Sequence, residues 1–318
     1  MIPAAPLRLP FGLQGALERL VHEQLNPAGT RPVDFARPAG EPALAGPDSV
    51  SWQVFRNPVS LYVGGVAAVI LELAEPRVAA GVWHHSSFRD QPLGRLQRTG
   101  LAAMVTVYAA RSVAERMIAG VRQAHEAVRG VTEAGQPYHA SDPDLLLWVQ
   151  TTAAFGFLHA FDRLVAPVCP ADRDRYYGEG VPAGHLYGVP EPPPDEAAVR
   201  ACFDAMRPRL RPSPILAEFL AIMRRRPILP RAARPLQPML LRTAVSILPE
   251  WARDQLRLGP GSRPGELALL RTIARTAHRL RLDGSPAAQA CIRLGLPPEY
   301  LHRPAISAAR SGRDQRGA

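Results

Sequence analysis

Residues 81–130 read GVWHHSSFRDQPLGRLQRTGLAAMVTVYAARSVAERMIAGVRQAHEAVRG. This stretch predicts two consecutive helices, each with its own start signal. Asp90 is a candidate N-cap for the first helix, just before a proline in the first turn. Ser112 is a candidate N-cap for the second helix, and Glu115 three residues later completes a capping box. Gly130 ends the second helix, because glycine readily adopts the left-handed conformation there. We therefore expect a pair of helices at the centre of the chain.

The predicted helices carry candidate site residues. Arg95 and Thr99 are four residues apart, so they share a face, which continues through small side chains. That face suits a planar cofactor or an apolar substrate, although Arg95 is equally explained as a structural ion-pair partner. His125 lies on an apolar stripe that points it into the core, and spacing alone favours a core histidine bonded to a carbonyl. Thr152, further along, is a candidate pocket hydroxyl or a threonine bonded to its own helix.

Several motifs in this order resemble one family. They are HHSSF, RLQRT, AHEAVRG, QPYHASDPDLLLWVQTT and HLYGVP. Together they resemble the DUF2236 family, which includes the oxygenase MpaB and the catalytic domain of rubber oxygenase (latex-clearing protein), over roughly residues 50 to 260. The resemblance implies an all-α fold, a single large helical domain with a globin-like core, and a bound haem b.

The resemblance also implies roles for individual residues. His125, in AHEAVRG, matches the histidine that ligates the haem iron. Arg95 and Thr99 match the arginine and threonine that line the distal side and act in catalysis. His85, in the HSSF motif, is a candidate for the wall of the cofactor pocket, to which Thr152 would add a hydroxyl.

The chain departs from the family pattern at three positions. Gln150 stands where the family often has histidine, Glu75 stands before Pro76 where histidine is usual, and Arg98 stands where relatives carry lysine. Rubber-cleaving relatives are thought to use a glutamate as base. Glu72 and Glu75 lie nearest in sequence, without a firm match for either.

The implied reaction is the addition of dioxygen across a carbon–carbon double bond of an apolar, isoprenoid- or lipid-like substrate, giving two carbonyl products. A different class of function also fits the residues: a helical protein that binds an apolar ligand without haem and without turnover. A haem Soret band in the absorption spectrum of the purified protein would distinguish the oxygenase from the haem-free binding protein. The sequence leaves a homodimer open.

The amino-acid composition bears on the class of function and on the location of the protein. The net charge is +10, and all 38 basic residues are arginines spread along the chain rather than clustered with aromatic residues. This pattern argues against a nucleic-acid binder. The three cysteines are far apart and have no metal-ligand spacing. The absence of a leader pattern and of an apolar run of ~18 residues predicts a cytoplasmic protein without a transmembrane segment.

We expect four parts: an N-terminal helix and Pro/Gly-rich covering segment (1–50), the catalytic domain (51–260), a C-terminal helical extension (261–303) and a disordered tail (304–318). Inside a predicted helix near residues 59–73, the Gly64–Gly65 pair costs roughly 1 kcal/mol per glycine relative to alanine. Something should therefore pack closely there, either a neighbouring helix or a cofactor edge. Loops are predicted at 131–140 and 182–194.

Overall fold

The computed structural model describes residues 7, 14, 15, 32–226, 229 and 231–302. Within them the chain forms thirteen α-helices and one two-stranded antiparallel hairpin, so the all-α prediction is confirmed. The elements are α1 (Val50–Val54), α2 (Pro58–Glu72), α3 (Pro76–His85), α4 (Pro92–Tyr108), α5 (Arg111–Glu126), β1 (Arg129–Val131), β2 (Pro137–His139), α6 (Pro143–Leu164), α7 (Pro170–Tyr187), α8 (Glu196–Met206), α9 (Pro214–Arg225), α10 (Gln237–Ile247), α11 (Glu250–Gln255), α12 (Pro264–Arg279) and α13 (Pro286–Arg293).

The core is organised around α2 and α6, which pack tightly on each other. Asn57 caps α2, its side-chain oxygen accepting the N–H of Ser60 at 2.9 Å. The helices meet at Gly64 and Gly156, where a Cβ placed on Gly64 would lie 2.6 Å from the Gly156 carbonyl oxygen. No side chain fits in that space. The close packing expected at the glycine pair is therefore confirmed, and the neighbour is a helix.

Further helices enclose this pair. Helices α10 and α12 both pack on α2 and on α6. The Trp148 indole, fully buried on α6, donates to the Leu71 carbonyl of α2 at 3.2 Å. Its ring meets Phe203 of α8 edge-on, with centroids 5.2 Å apart. These contacts place the densest part of the core beside the C-terminal half of α2.

The predicted helical pair exists as α4 and α5, but three of its predicted end signals are wrong. Helix α4 follows Gln91, without a side-chain cap, rather than Asp90. Ser112 lies inside the first turn of α5, where its N–H and hydroxyl bond to the Glu41 carboxylate instead of capping the helix. Helix α5 ends at Glu126, because Gly130 pairs with Tyr138 across the hairpin. Tertiary contacts replaced the local signals at Ser112 and Gly130.

Two predicted loops also need correction. The 131–140 segment contains β2 and the turn of the hairpin, not only a loop. The 182–194 loop begins late, because α7 continues through Pro182 and ends at Gly188, whose φ of 94° is the left-handed conformation that glycine tolerates. The covering segment is irregular over 32–49, as predicted. The predicted N-terminal helix, apart from residues 14 and 15, and the 304–318 tail lie outside the described residues.

Among the described residues, no single helix is both long and apolar enough to cross a membrane. Helices α2 and α3 meet the length and composition requirement only as a pair, and they are bent by 111° at their junction.

Candidate functional site

The first member of the candidate site is the carboxylate of Glu72, in the last turn of α2. Burial raises its pKa to about 7, although the positive charge of Arg95 and the hydroxyl of Thr152 both lower it. A carboxylic acid with this pKa is present in both protonation states near neutral pH. Glu72 can therefore hold or accept a proton under ordinary conditions.

Arg95 lies in the first turns of α4 and is half-buried. Its guanidinium donates to the Thr99 hydroxyl oxygen, and that hydroxyl in turn donates to the Arg95 carbonyl at 2.9 Å. Burial lowers the pKa of Arg95, the Glu72 carboxylate raises it and the Arg98 charge lowers it. The predicted shared face of Arg95 and Thr99 is thus present, and Thr99 itself is exposed.

His125 lies in the last turn of α5. The expectation that it points fully into the core is only partly met, since the residue is half-buried, but its Nδ1 atom is buried and has no hydrogen-bond partner. Burial lowers its pKa, and the Arg95 charge lowers it further. The ring is therefore neutral at pH 7 and retains an unused nitrogen.

Thr152 of α6 is completely buried. Its hydroxyl donates to the Trp148 carbonyl at 2.9 Å, which is the back-bonded arrangement, and it also acts on the Glu72 carboxylate. The threonine bonded to its own helix is therefore what the structure shows. A role for Thr152 as a pocket hydroxyl stays a prediction.

Electrostatics connects these residues to Arg95, whose charge lowers the pKa of both Glu72 and His125. Four helices supply them: α2, α4, α5 and α6. His85 is not brought to this group by any contact in the described part of the chain. It is exposed, and its Nε2 lies 3.3 Å from the Tyr138 hydroxyl of the hairpin.

The structure also separates the two glutamates that the sequence left open. Glu75 caps α3 by accepting the N–H groups of Arg77 and Val78, and it pairs with the Arg77 side chain at 2.9 Å. Its carboxylate is therefore engaged in capping α3 and in pairing with Arg77. Glu72 is the single charge in the apolar run of α2 and has no such structural pairing among the contacts described.

The other departures from the family pattern lie outside the Arg95 group. Arg98 donates to the Ser87 hydroxyl at 2.7 Å and fixes the segment that leads into α4. Gln150 lies against α7, where a Cβ on Gly184 would be 3.5 Å from its Nε2 atom. Both side chains have neighbours that account for them without a role at Arg95.

Within the described residues, no group of three or more His, Cys, Asp or Glu side chains is arranged to hold a metal ion. A metal held by protein side chains alone therefore has no ligand set in that part of the chain. A cofactor that brings its own ligands and asks for one histidine is not subject to this restriction.

A family model described as "ER-bound oxygenase mpaB/B'/Rubber oxygenase, catalytic domain" matches residues 52–279. The chain belongs to this family. The family is one of oxygenases, so membership supports oxygenase activity with dioxygen as a co-substrate. The match covers all the residues grouped around Arg95 and continues through α12, past residue 260.

No curated protein and no solved structure matches the chain. The globin-like topology of the core, which the resemblance implies for this MpaB/rubber oxygenase family member, therefore stays a prediction.

Proposed function

We propose that this chain is a haem b-dependent oxygenase that cleaves a carbon–carbon double bond of an apolar, isoprenoid- or lipid-like substrate with dioxygen. The observation that carries the proposal is the buried Nδ1 atom of His125, which has no hydrogen-bond partner. A buried polar atom without a hydrogen bond is rare in proteins and calls for a missing partner.

The residues present fit a haem. An axial histidine must be neutral, and burial together with the Arg95 charge keeps His125 in that form at neutral pH. His125 would hold the iron, while Arg95 and Thr99 would face the reacting oxygen. Haem iron supplies the activation of dioxygen when it is bound.

Arg95 is proposed to stabilise negative charge that develops on oxygen during the reaction. Its guanidinium is half-buried and is already oriented by its bond to Thr99. A preoriented charged donor in a site with little water is worth more than the same donor in solution. Thr99 therefore acts as a positioning residue for Arg95.

Glu72 is proposed as the proton acceptor, at its carboxylate oxygen. Its pKa of about 7 places it where both forms are populated, which suits a group that takes up a proton and returns it. The Arg95 charge and the Thr152 hydroxyl both lower the pKa of Glu72 and so favour its carboxylate form.

The test begins with the absorption spectrum of the purified protein, as isolated and after addition of hemin. A Soret band that persists after gel filtration is expected. Oxygen consumption is then measured with squalene, an isoprenoid alkene, and with squalane, its saturated counterpart, and carbonyl products are trapped as hydrazones. Oxygen uptake and carbonyls with squalene alone support the proposal. A protein that retains no haem but binds both hydrocarbons would instead be a haem-free carrier of apolar ligands.

A further inference from the structure

A cleft lies at the opposite end of α2 from Glu72. It encloses about 30 Å³, enough for a water molecule or for part of a small ligand at its mouth. Because α2 has 15 residues, about 22 Å of helix separates it from Glu72. Its polar lining comes from the start of α2 and from the C-terminal part of the chain: Arg56, His278, Arg281, Ser285 and His302.

Arg56 places a largely buried cation in this cleft. Its guanidinium donates to the carbonyl of Leu301 at 2.5 Å and to that of His278 at 3.1 Å, while its Nε atom is buried without a partner. Burial lowers its pKa to about 10, so it is charged at neutral pH. Both bonded carbonyls are neutral, and no described carboxylate forms a salt bridge with it.

His278 supplies a second unused donor. Its Nε2 lies 2.7 Å from Arg56 Nη2, and because a guanidinium can only donate, Nε2 must be the acceptor. The proton of the neutral ring is therefore on Nδ1, which is buried and has no partner. Burial and the Arg56 charge lower the pKa of His278 to about 2, so the ring is neutral. Arg56 and His278 thus hold two buried N–H donors that lack acceptors.

The surrounding groups leave the charge of Arg56 unmatched. Arg281 is paired with Asp283 at 2.7 Å and Glu299 at 3.4 Å, so those carboxylates are already engaged at the rim. Burial raises the pKa of the Cys291 thiol to about 11, which keeps it neutral beside Arg56. His302 is neutral too, since burial, Arg56 and Arg281 lower its pKa to about 4.

We propose that this cleft binds a small oxyanion, a phosphate or a carboxylate group, at the guanidinium of Arg56. An oxygen atom of such a group accepts the unused Nε–H of Arg56, and its charge matches that of the guanidinium. A water molecule would accept the donors but leave the charge unmatched. Because the cleft joins α2 to residues 280–302, the bound anion would also fasten the C-terminal segment to the family domain.

The test uses the full chain, with sodium phosphate or sodium acetate exchanged against sodium chloride at constant ionic strength. A saturable rise in melting temperature of at least about 2 °C is expected with one of the anions. Arg56→Gln should abolish the rise, whereas Arg175→Gln, which removes an exposed arginine of α7, should keep it. A wild-type protein that responds to both anions as it does to chloride overturns the proposal, as does an undiminished rise in Arg56→Gln.

If Arg56→Gln does not fold, histidine NMR of the wild-type protein decides. Titration with the active anion should move the ring signals of His278 and His302, the latter assigned from His302→Gln, and leave those of His125 and His159 in place. Movement confined to other histidines contradicts the proposal. Haem content should not change in either case, so the outcome is independent of the oxygenase proposal.

Discussion

Arg95 is the residue through which the candidate site is connected. Its guanidinium donates a hydrogen bond to Thr99, and its charge lowers the pKa of both Glu72 and His125. If it stabilises charge on oxygen, Arg95→Ala should keep haem and lose turnover by about a hundredfold, the effect of removing a donor worth ~3 kcal/mol. Haem absorbance, melting temperature and oxygen consumption measure the three quantities.

Arg98→Ala is the matched control, because Arg98 is one turn away and bonds to Ser87 instead. It should reduce turnover much less than Arg95→Ala does. Full oxygen consumption by a well-folded Arg95→Ala protein would end the role proposed for Arg95. A lowered melting temperature with intact activity would make Arg95 a structural residue.

The ionisation of Glu72 should make the stability of the protein depend on pH. Burial raises its pKa from 4.5 to about 7, so the folded protein keeps a proton that the unfolded chain releases. The stability it contributes is complete below pH 4.5 and is lost as the pH rises through 7. Glu72→Gln cannot ionise, so it should gain stability relative to wild type over this interval, by roughly 1–2 kcal/mol after allowance for solvent screening.

Urea denaturation at pH 5, 6, 7 and 8 checks this sign. Glu115→Gln, which removes an exposed carboxylate of α5, controls for the loss of a charge. A stability difference between Glu72→Gln and wild type that stays constant with pH, or that falls as the pH rises, would contradict the raised pKa of Glu72.

Among the helices, the α2–α6 crossing depends on Gly64, whereas its neighbour Gly65 has more open surroundings. A Cβ on Gly64 would lie 2.6 Å from a backbone oxygen of α6, whereas one on Gly65 would meet only the Phe157 ring at 3.7 Å. Gly64→Ala should therefore lower the free energy of unfolding by about 2 kcal/mol or more. Gly65→Ala should be neutral or stabilising by up to about 1 kcal/mol, since alanine favours helix.

Thermal and urea denaturation of the two variants compares them directly. Equal stabilities for Gly64→Ala and Gly65→Ala would contradict the close contact of the two helices.

The helices themselves could be predicted, because their apolar periodicity and their Pro and Gly signals are local. The ends of α4 and α5 could not. Ser112 carries a valid cap signal, but Glu41, distant in sequence, binds its N–H and its hydroxyl. Likewise Gly130 signals a helix end, yet Tyr138 pairs with it in a hairpin. Contacts of long sequence separation decide such positions.

Across the fold, residues of four helices are linked to Arg95, either by its charge or through Glu72 and Thr99. The sequence predicted Arg95, Thr99, His125 and Thr152 as candidate site residues, mostly through the family resemblance. Each of them lies in a motif or on the inward face of a predicted helix. It could not choose between Glu72 and Glu75, since the choice depends on Arg77 pairing with Glu75. It also proposed His85, which the structure leaves exposed near Tyr138.

The central claim is that His125 holds a haem. The most direct measurement is the haem content, by absorbance per mole of protein, of wild type, His125→Ala and His159→Ala after identical hemin loading and gel filtration. His159 is a fair control, because it too is a neutral histidine, with its pKa lowered to about 4 by burial, and it stacks on Phe155 away from Arg95. We expect His125→Ala to lose most of its haem and His159→Ala to keep it. Equal haem content in the two variants would contradict it.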